Sequence, residues 1–257
     1  MTDGTPSTST SARTAIVTGA ASGIGAATVL ELARQGYATV GIDVDLGGAQ
    51  TVARQAAELG RQAHGAIHAD VTDEPRLIAA FDEALVLLGQ LDVLVTSAGV
   101  GETTPFMDLS TDIFRRVHEV NVVGTFVCIR EAALRMRAGG RICTVASVAG
   151  IRGGGLSGTG AYAASKGAVL ALTKNAARAL APRGICVNTI APGATLTPMI
   201  AEHWKNDAHR SRVEAMSVLN RTAQPAEIAV SIAFLVSPQA SAITGSTLVA
   251  DNGLVMY

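Results

Sequence analysis

Tyr162 and Lys166 stand four residues apart in the alanine-rich stretch AYAASKGAVLALTKNAARAL. On a helix that spacing puts both side chains on one face. A tyrosine is a poor base near neutrality, because its ordinary pKa is about 10. A neighbouring ammonium favours phenolate and lowers that value. The pair can therefore serve as a proton-transfer couple in which Lys166 tunes Tyr162. Spacing alone does not separate this from a solvated surface pair. Ser147 closes the apolar run RICTVAS, and a glycine-rich stretch leads from it to Tyr162.

A second chemical signal lies near the start of the chain. The run TAIVTG passes straight into TGAASGIG at Thr18–Gly25, followed by a helical pattern. Gly19, Gly23 and Gly25 let the backbone turn tightly and approach a ligand closely. The helix N-terminus then offers unpaired amides and a partial positive charge to a pyrophosphate. Gly19, Ser22, Gly23, Ile24 and Gly25 are the candidate phosphate contacts; the alternative is a glycine-rich turn with no ligand. Asp43 ends the next apolar run, 18 residues past Gly25. There a dinucleotide fold places an acid on the adenosine ribose. Its carboxylate would repel a 2′-phosphate, and no Arg or Lys occupies the loop or directly follows Asp43. These features favour NAD over NADP. The alternative for Asp43 is an ordinary residue of a strand-end turn.

Elements must bring these residues together. Apolar, β-branched runs at Thr14–Thr18, Ala38–Asp43, Ala63–Ala69, Leu91–Thr96, Gly140–Ala146, Ile185–Ile190 and Ser246–Ala250 read as strands. They are apolar on both faces, as a sheet covered on both sides requires. Helical patterns fall near 23–35, 46–59, 73–88, 111–137, 161–181 and 225–236. Strict alternation predicts an α/β fold: a single-domain Rossmann-type, doubly wound parallel sheet of about seven strands with helices on both faces. Asp70-Val71 and Thr96-Ser97-Ala98-Gly99 then fall at carboxyl ends of strands, where such a sheet opens its ligand crevice. Residues 1–12 read as a flexible tail and 13–257 as one domain. The polar stretch 195–224 interrupts the alternation and reads as a substrate lid or loop insertion.

Composition narrows the partners. The 20 basic and 21 acidic residues give a net charge of −1, which argues against a nucleic-acid binder. With 48% hydrophobic and 16% charged residues, a large core is available and whole-chain disorder is excluded. No apolar run is long enough to span a membrane, and no secretory signal is visible. Cys128, Cys143 and Cys186 lack metal-ligand spacing and read as reduced, buried thiols of a cytoplasmic protein; no metal is expected.

Taken in order, TGAASGIG, Asp70-Val71, Thr96–Gly99, Asn121, Ser147, Tyr162-x-x-x-Lys166, Pro192-Gly193 and ITGSTLVADNG resemble the classical short-chain dehydrogenase/reductase family. The resemblance runs from about Thr14 to Gly253. It implies that Tyr162 transfers the proton, that Lys166 binds the nicotinamide ribose and lowers the Tyr162 pKa, and that Ser147 hydrogen-bonds the substrate oxygen. It implies that Asn121 holds a water linking Lys166 to solvent, and that Pro192, Gly193 and Thr195 line the nicotinamide side. Asp70, Val71, Ser97, Ala98 and Gly99 complete the expected cofactor wall. Three departures stand out. Thr-Ser-Ala-Gly replaces the family's Asn-Asn-Ala-Gly, so Ser97 stands where an amide normally braces neighbouring strands. Ser147 to Tyr162 spans 15 residues, about two more than usual, with the extra length in GGGLSGTG. Leu219-Asn220-Arg221 replaces Leu-Gly-Arg.

The resulting expectation is an oxidoreductase that moves a hydride between NAD and a secondary alcohol or ketone without a metal. Two alternatives are an NADPH-dependent carbonyl or 3-oxoacyl reductase and a non-catalytic nucleotide-sensing protein. The intact Ser147–Tyr162–Lys166 set argues against the second. Apolar residues on more than one face of 111–137 and 161–181 call for a partner surface, and the resemblance implies a homotetramer.

Overall fold

The computed structural model describes residues 12–60, 62–154, 160–201 and 205–256. Its centre is a seven-stranded parallel sheet in the order β3-β2-β1-β4-β5-β6-β7. The strands are β1 (Thr14–Thr18), β2 (Ala38–Asp43), β3 (His64–His68), β4 (Val93–Thr96), β5 (Arg141–Val145), β6 (Cys186–Pro192) and β7 (Thr247–Ala250). Period-two alternation sorts their side chains into two cores. Ile16, Leu94 and Ile142 pack on one face with Leu77, Phe81 and Val127. Ala15, Val17, Val93 and Val95 pack on the other with Leu32, Ile228 and Ile232. The first core thus covers the sheet with α3 (Glu74–Leu88) and α5 (Gly124–Arg135), the second with α1 (Gly23–Arg34) and α10 (Pro225–Val236). Each such large side chain contributes roughly 1.5–3 kcal/mol on burial.

Helix starts follow local chemistry. Asp45 accepts from the Gly48 amide at the head of α2 (Leu46–Leu59), and Asp73 from the Arg76 amide at the head of α3. Ser147 caps α6 (Val148–Arg152) in the same way. Ser22 is different. It occupies the N-cap of α1, but its side chain does not cap that helix.

The predicted continuous helix over 111–137 is a correction. It is α4 (Thr111–His118), one π-helical turn over Glu119–Val123, and then α5. The extra residue in a π turn shifts the register of everything after it. Asn121, in that turn, is fully buried. A 3.6-residue hydrophobic period carries no sign of such an insertion. β6 runs two residues past the expected Ile190, so Pro192 lies on the strand itself, paired with Ala250. The stretch 195–224 contains α8 (Pro198–Ala201) and α9 (Asp207–Glu214) ahead of α10. The tail 1–11, the loop 155–159 and Trp204 lie outside the described residues. All three cysteines are free, but Cys186, which opens β6, is only half-buried, contrary to the expected buried set.

Candidate active site

Sheet order reverses between β1 and β4, and a cavity of about 1170 Å³ opens over the carboxyl ends of the strands there. It exceeds the usual range for one small ligand. Gly19, Ser22, Gly23, Ile24, Asp43, Asp70, Val71, Ser97, Ala98 and Gly99 line it from one side. Ser147, Tyr162, Lys166, Pro192, Gly193 and Thr195 line it from the other. Of the residues singled out from sequence, only Gly25 and Asn121 are not in its wall.

Gly25 has another task. A Cβ there would lie 2.0 Å from the Gly19 carbonyl oxygen, so the glycine lets the loop fold against α1. Gly19 has φ +69°, and a Cβ there would lie 2.5 Å from the Ala98 amide nitrogen. The β1 and β4 exits therefore touch through backbone. They are tied by Ser97 N–H to the Thr18 carbonyl at 3.1 Å. This main-chain bond supplies bracing at the position where the family's amide is replaced by Ser97.

The β1–β2 end fits a dinucleotide in three ways. The loop presents bare backbone to the cavity at Gly19 and Gly23. The first turn of α1 is not capped by Ser22 and faces the cavity. Asp43 is held in place by two backbone amides, accepting from Ala21 N–H and Asp45 N–H at 2.9 Å each. Each carboxylate oxygen keeps a lone pair for ribose hydroxyls. Asp70 is anchored similarly, by the amide and hydroxyl of Thr72.

The β5–β6 end is built from side chains. Tyr162 and Lys166 project from the first turns of α7 (Gly160–Leu180). Lys166 is buried, donates to the Val145 carbonyl at 2.8 Å, and lies 5.8 Å from the Tyr162 ring centre. Burial pulls its pKa from 10.5 to about 8. Ser147 Oγ accepts from the Ala149 amide at 3.1 Å. That acceptance directs its own proton elsewhere, toward the cavity it shares with Tyr162, whose pKa Ser147 lowers. Tyr162 keeps part of its surface open to the cavity, yet the surroundings of its hydroxyl raise its pKa. Desolvation is the larger cause, and Ser147 opposes it. Both groups are desolvated, which favours neutral phenol and neutral amine alike.

Asn121 stands behind the wall. Its Oδ1 accepts from the Val100 amide at 2.8 Å, and its Nδ2 donates to the Val100 carbonyl and to Ser165 Oγ at 3.0 Å each. Its own carbonyl accepts from Thr125 Oγ1 at 2.8 Å. Both side-chain N–H groups are thus committed to protein partners. A Cβ on Gly99 would lie 3.2 Å from Asn121 Oδ1 and 3.5 Å from Lys166 Nζ, so the two residues flank that glycine together.

Sequence reasoning missed several wall residues. Ile113, Val117 and Val120 line the cavity at helical spacing, a signal that core packing produces equally well. Thr197 packs over Gly23 and Met199 over Gly101, which carries α8 across the crevice. Ser165 also went unnoticed, although a serine buried in an alanine-rich helix must find a partner.

Residues 19–255 match the family model described as enoyl-(acyl carrier protein) reductase. The cis-4-hydroxycyclohexanecarboxylate dehydrogenase of Sinomonas cyclohexanicum is 41% identical, covering 94% of this chain and 96% of that one. A cyclohexanol dehydrogenase of Acinetobacter sp. is 36% identical, over 93% of this chain and 94% of its own. The crystal structure of a dehydrogenase/reductase from Sinorhizobium meliloti 1021 superposes with a TM-score of 0.88 at 36% identity, covering 95% of each chain. The chain belongs to the short-chain dehydrogenase/reductase family and is an oxidoreductase.

Proposed function

We propose that this protein interconverts a cyclic secondary alcohol and its ketone, with NAD preferred as hydride carrier. One observation carries the reading: Ser147, Tyr162 and Lys166 share a single cavity with the glycine cradle and Asp43. Its similarity to two dehydrogenases named for hydroxylated six-membered rings supports the substrate class. NAD, when bound, supplies the hydride acceptor. Tyr162, as phenolate, takes the proton from the substrate hydroxyl while Ser147 donates to the same oxygen. A protonated Lys166 offsets the negative charge on the phenolate. In the opposite direction neutral Tyr162 donates the proton to the ketone oxygen. Burial favours that neutral form, so alcohol oxidation speeds up as pH rises.

The choice of NAD rests on Asp43. A 2′-phosphate would meet a fixed carboxylate, a like-charge contact that costs several kcal/mol where desolvated. Purified protein is assayed for reduced nicotinamide with NAD and NADP over cyclohexanol, cyclopentanol and open-chain secondary alcohols. Turnover of the ring alcohols with kcat/KM higher for NAD is expected. Equal or better use of NADP overturns the cofactor assignment. The 3-oxoacyl reductase reading, supported by 36% identity to a 3-oxoacyl-[acyl-carrier-protein] reductase of Staphylococcus aureus over 95% of this chain and 98% of that one, is tested in the same series with an acyl thioester and NADPH.

Three further parts of the reading concern organisation. The chain from residue 13 acts as one domain, and 195–224 closes over substrate, as the contacts of Thr197 and Met199 across the crevice suggest. Emission of Trp204, the single tryptophan, should change on forming the ternary complex. The exposed Val123, Phe126 and Leu134 around α5 favour a homotetramer, read by light scattering. The free thiols fit a cytoplasmic location, and no helix among the described residues is long and apolar enough to cross a membrane.

A further inference from the structure

Three side chains in the first turns of α7 reach out in two directions. Tyr162 faces the same cavity as Ser147, just past β5, and Lys166 reaches the last carbonyl of β5, that of Val145. Ser165 points away from the cavity and is fully buried. Its Oγ donates to the Tyr162 carbonyl at 2.7 Å. A helical serine bonding back to the carbonyl three residues earlier is ordinary. Receiving a buried amide from another helix is not, and Ser165 Oγ accepts from Asn121 Nδ2 at 3.0 Å.

The direction of every bond in this chain is fixed. Val100 N–H can only donate, so Asn121 must present Oδ1 to it. Both Asn121 N–H groups are then donors, to the Val100 carbonyl and to Ser165. Ser165 Oγ must therefore accept from Asn121 and spend its one proton on Tyr162. The result is a tie from the β4 exit, through the π-helical turn, to the backbone of the residue that bears the phenol. Tyr162 and Lys166 both face the β5 exit. Those two polar side chains lie on one side of the helix end, and Ser165 adds a third from another direction.

We infer that Ser165 is a positioning residue: its hydroxyl, clamped between Asn121 and the Tyr162 carbonyl, sets the azimuth of the first turn of α7 and so aims the Tyr162 hydroxyl at the substrate oxygen. The inference rests on the proposed reaction. A small misplacement of a reacting group is costly, on the order of 10²-fold per ångström. Loss of one of three ties should shift the phenol by a fraction of that.

The test uses Ser165→Ala alone and combined with Tyr162→Phe, in the full chain with NAD and a ring alcohol. Ser165→Ala should lower kcat about tenfold while the Kd for NAD stays within about twofold. In the Tyr162→Phe background the same change should cost nothing further, because no phenol remains to be aimed. Unchanged kcat, or an equal loss in both backgrounds, overturns the inference. Should Ser165→Ala fail to fold, Ser165→Cys keeps the volume with a weaker hydrogen-bonding group, and wild-type turnover in it is equally fatal. A readout independent of activity is the NMR signal of ring-labelled tyrosine. In Ser165→Ala the Tyr162 resonance should move and titrate at a different pH while Tyr37 stays put; an unmoved Tyr162 overturns the tie. If the wild type turns over no alcohol, the proposed function fails, and this NMR comparison still decides the role of Ser165.

Discussion

The two ends of the cavity are made of different material. At the β1–β2 end the contact surface is largely main chain: a glycine cradle, the uncapped first turn of α1, and a carboxylate fixed by backbone amides. At the β5–α7 end it is side chains with polar heads, each held by a hydrogen bond to a strand exit or the turn after it. The first construction shares its atoms with the fold, since the loop touches β4 directly. The second is carried on a helix whose packing into the core depends on other residues, among them Val169 and Ala177. Substitutions at the first end should therefore damage folding and binding together. At the second they should damage chemistry and spare the fold.

The largest expected effect is at the side-chain end. Tyr162→Phe keeps the ring and removes the proton-carrying atom. It should lower kcat by about 10² or more, the scale of a lost general acid or base. NAD affinity and melting temperature should stay close to wild type. Parallel losses in stability and turnover would erase the contrast between the two ends.

Gly25→Ala should do the reverse. Its Cβ would sit 2.0 Å from a carbonyl oxygen of the same loop, and backbone on both sides leaves no flexible side chain to yield. A destabilisation of about 3 kcal/mol is expected, the upper range for forced overpacking. A lower urea midpoint at constant m-value would show it, with weaker NAD binding alongside. Full stability would mean that the loop is looser than its contacts indicate.

Asp43→Asn is intermediate. Asparagine keeps one acceptor oxygen, so one of the two amides now bonded by Asp43 loses its partner, and the repulsion toward a 2′-phosphate disappears. The ratio of kcat/KM for NAD to that for NADP should fall about tenfold, equivalent to roughly 1.4 kcal/mol. An unchanged ratio would place cofactor discrimination elsewhere in the wall.

How far the sequence exposes these two ends follows from the same difference. The main-chain end is legible because glycines, a helix start and an acid at fixed spacing are local signals. Thr18–Gly25 and Asp43 fall at the strand ends where the spacing puts them, and Gly25 packs against Gly19 outside the cavity wall. The strand alternation likewise yields all seven strands, with ends shifted by a residue or two. The side-chain end is legible in residue type but not in its supports. Tyr162, Lys166 and Ser147 are named by spacing and order. The π turn that buries Asn121 leaves no periodic trace, and the tie through Ser165 joins residues 44 apart in the chain. Spacing likewise reveals a neighbouring charge but not the desolvation that raises the Tyr162 pKa. Asn220, in place of the family's glycine, has φ +49°; asparagine is among the few residues that tolerate that region.

The smallest expected effect tests whether the side-chain end costs the fold anything at all. Lys166 is buried, and its folded pKa of about 8 lies below its ordinary 10.5. Between those values the unfolded chain holds the proton and the folded chain does not. Unfolding then takes up a proton, so stability rises with pH across that window. Below pH 8 both states are protonated, and the desolvated ammonium is a standing penalty. Lys166→Met removes the charge and fills similar volume, losing only the bond to Val145. Replacing a buried charge by an apolar isostere is often neutral or stabilising. At pH 7 the variant should melt no lower than wild type while its turnover collapses. Between pH 8 and 10.5 the stability gained by wild type should be missing from the variant. Taking the difference between the two proteins cancels the other groups that titrate there. A variant that melts well below wild type at pH 7, with the same pH slope, would show that the Lys166 ammonium supports the fold, and the division between a structural end and a chemical end would fail at that residue.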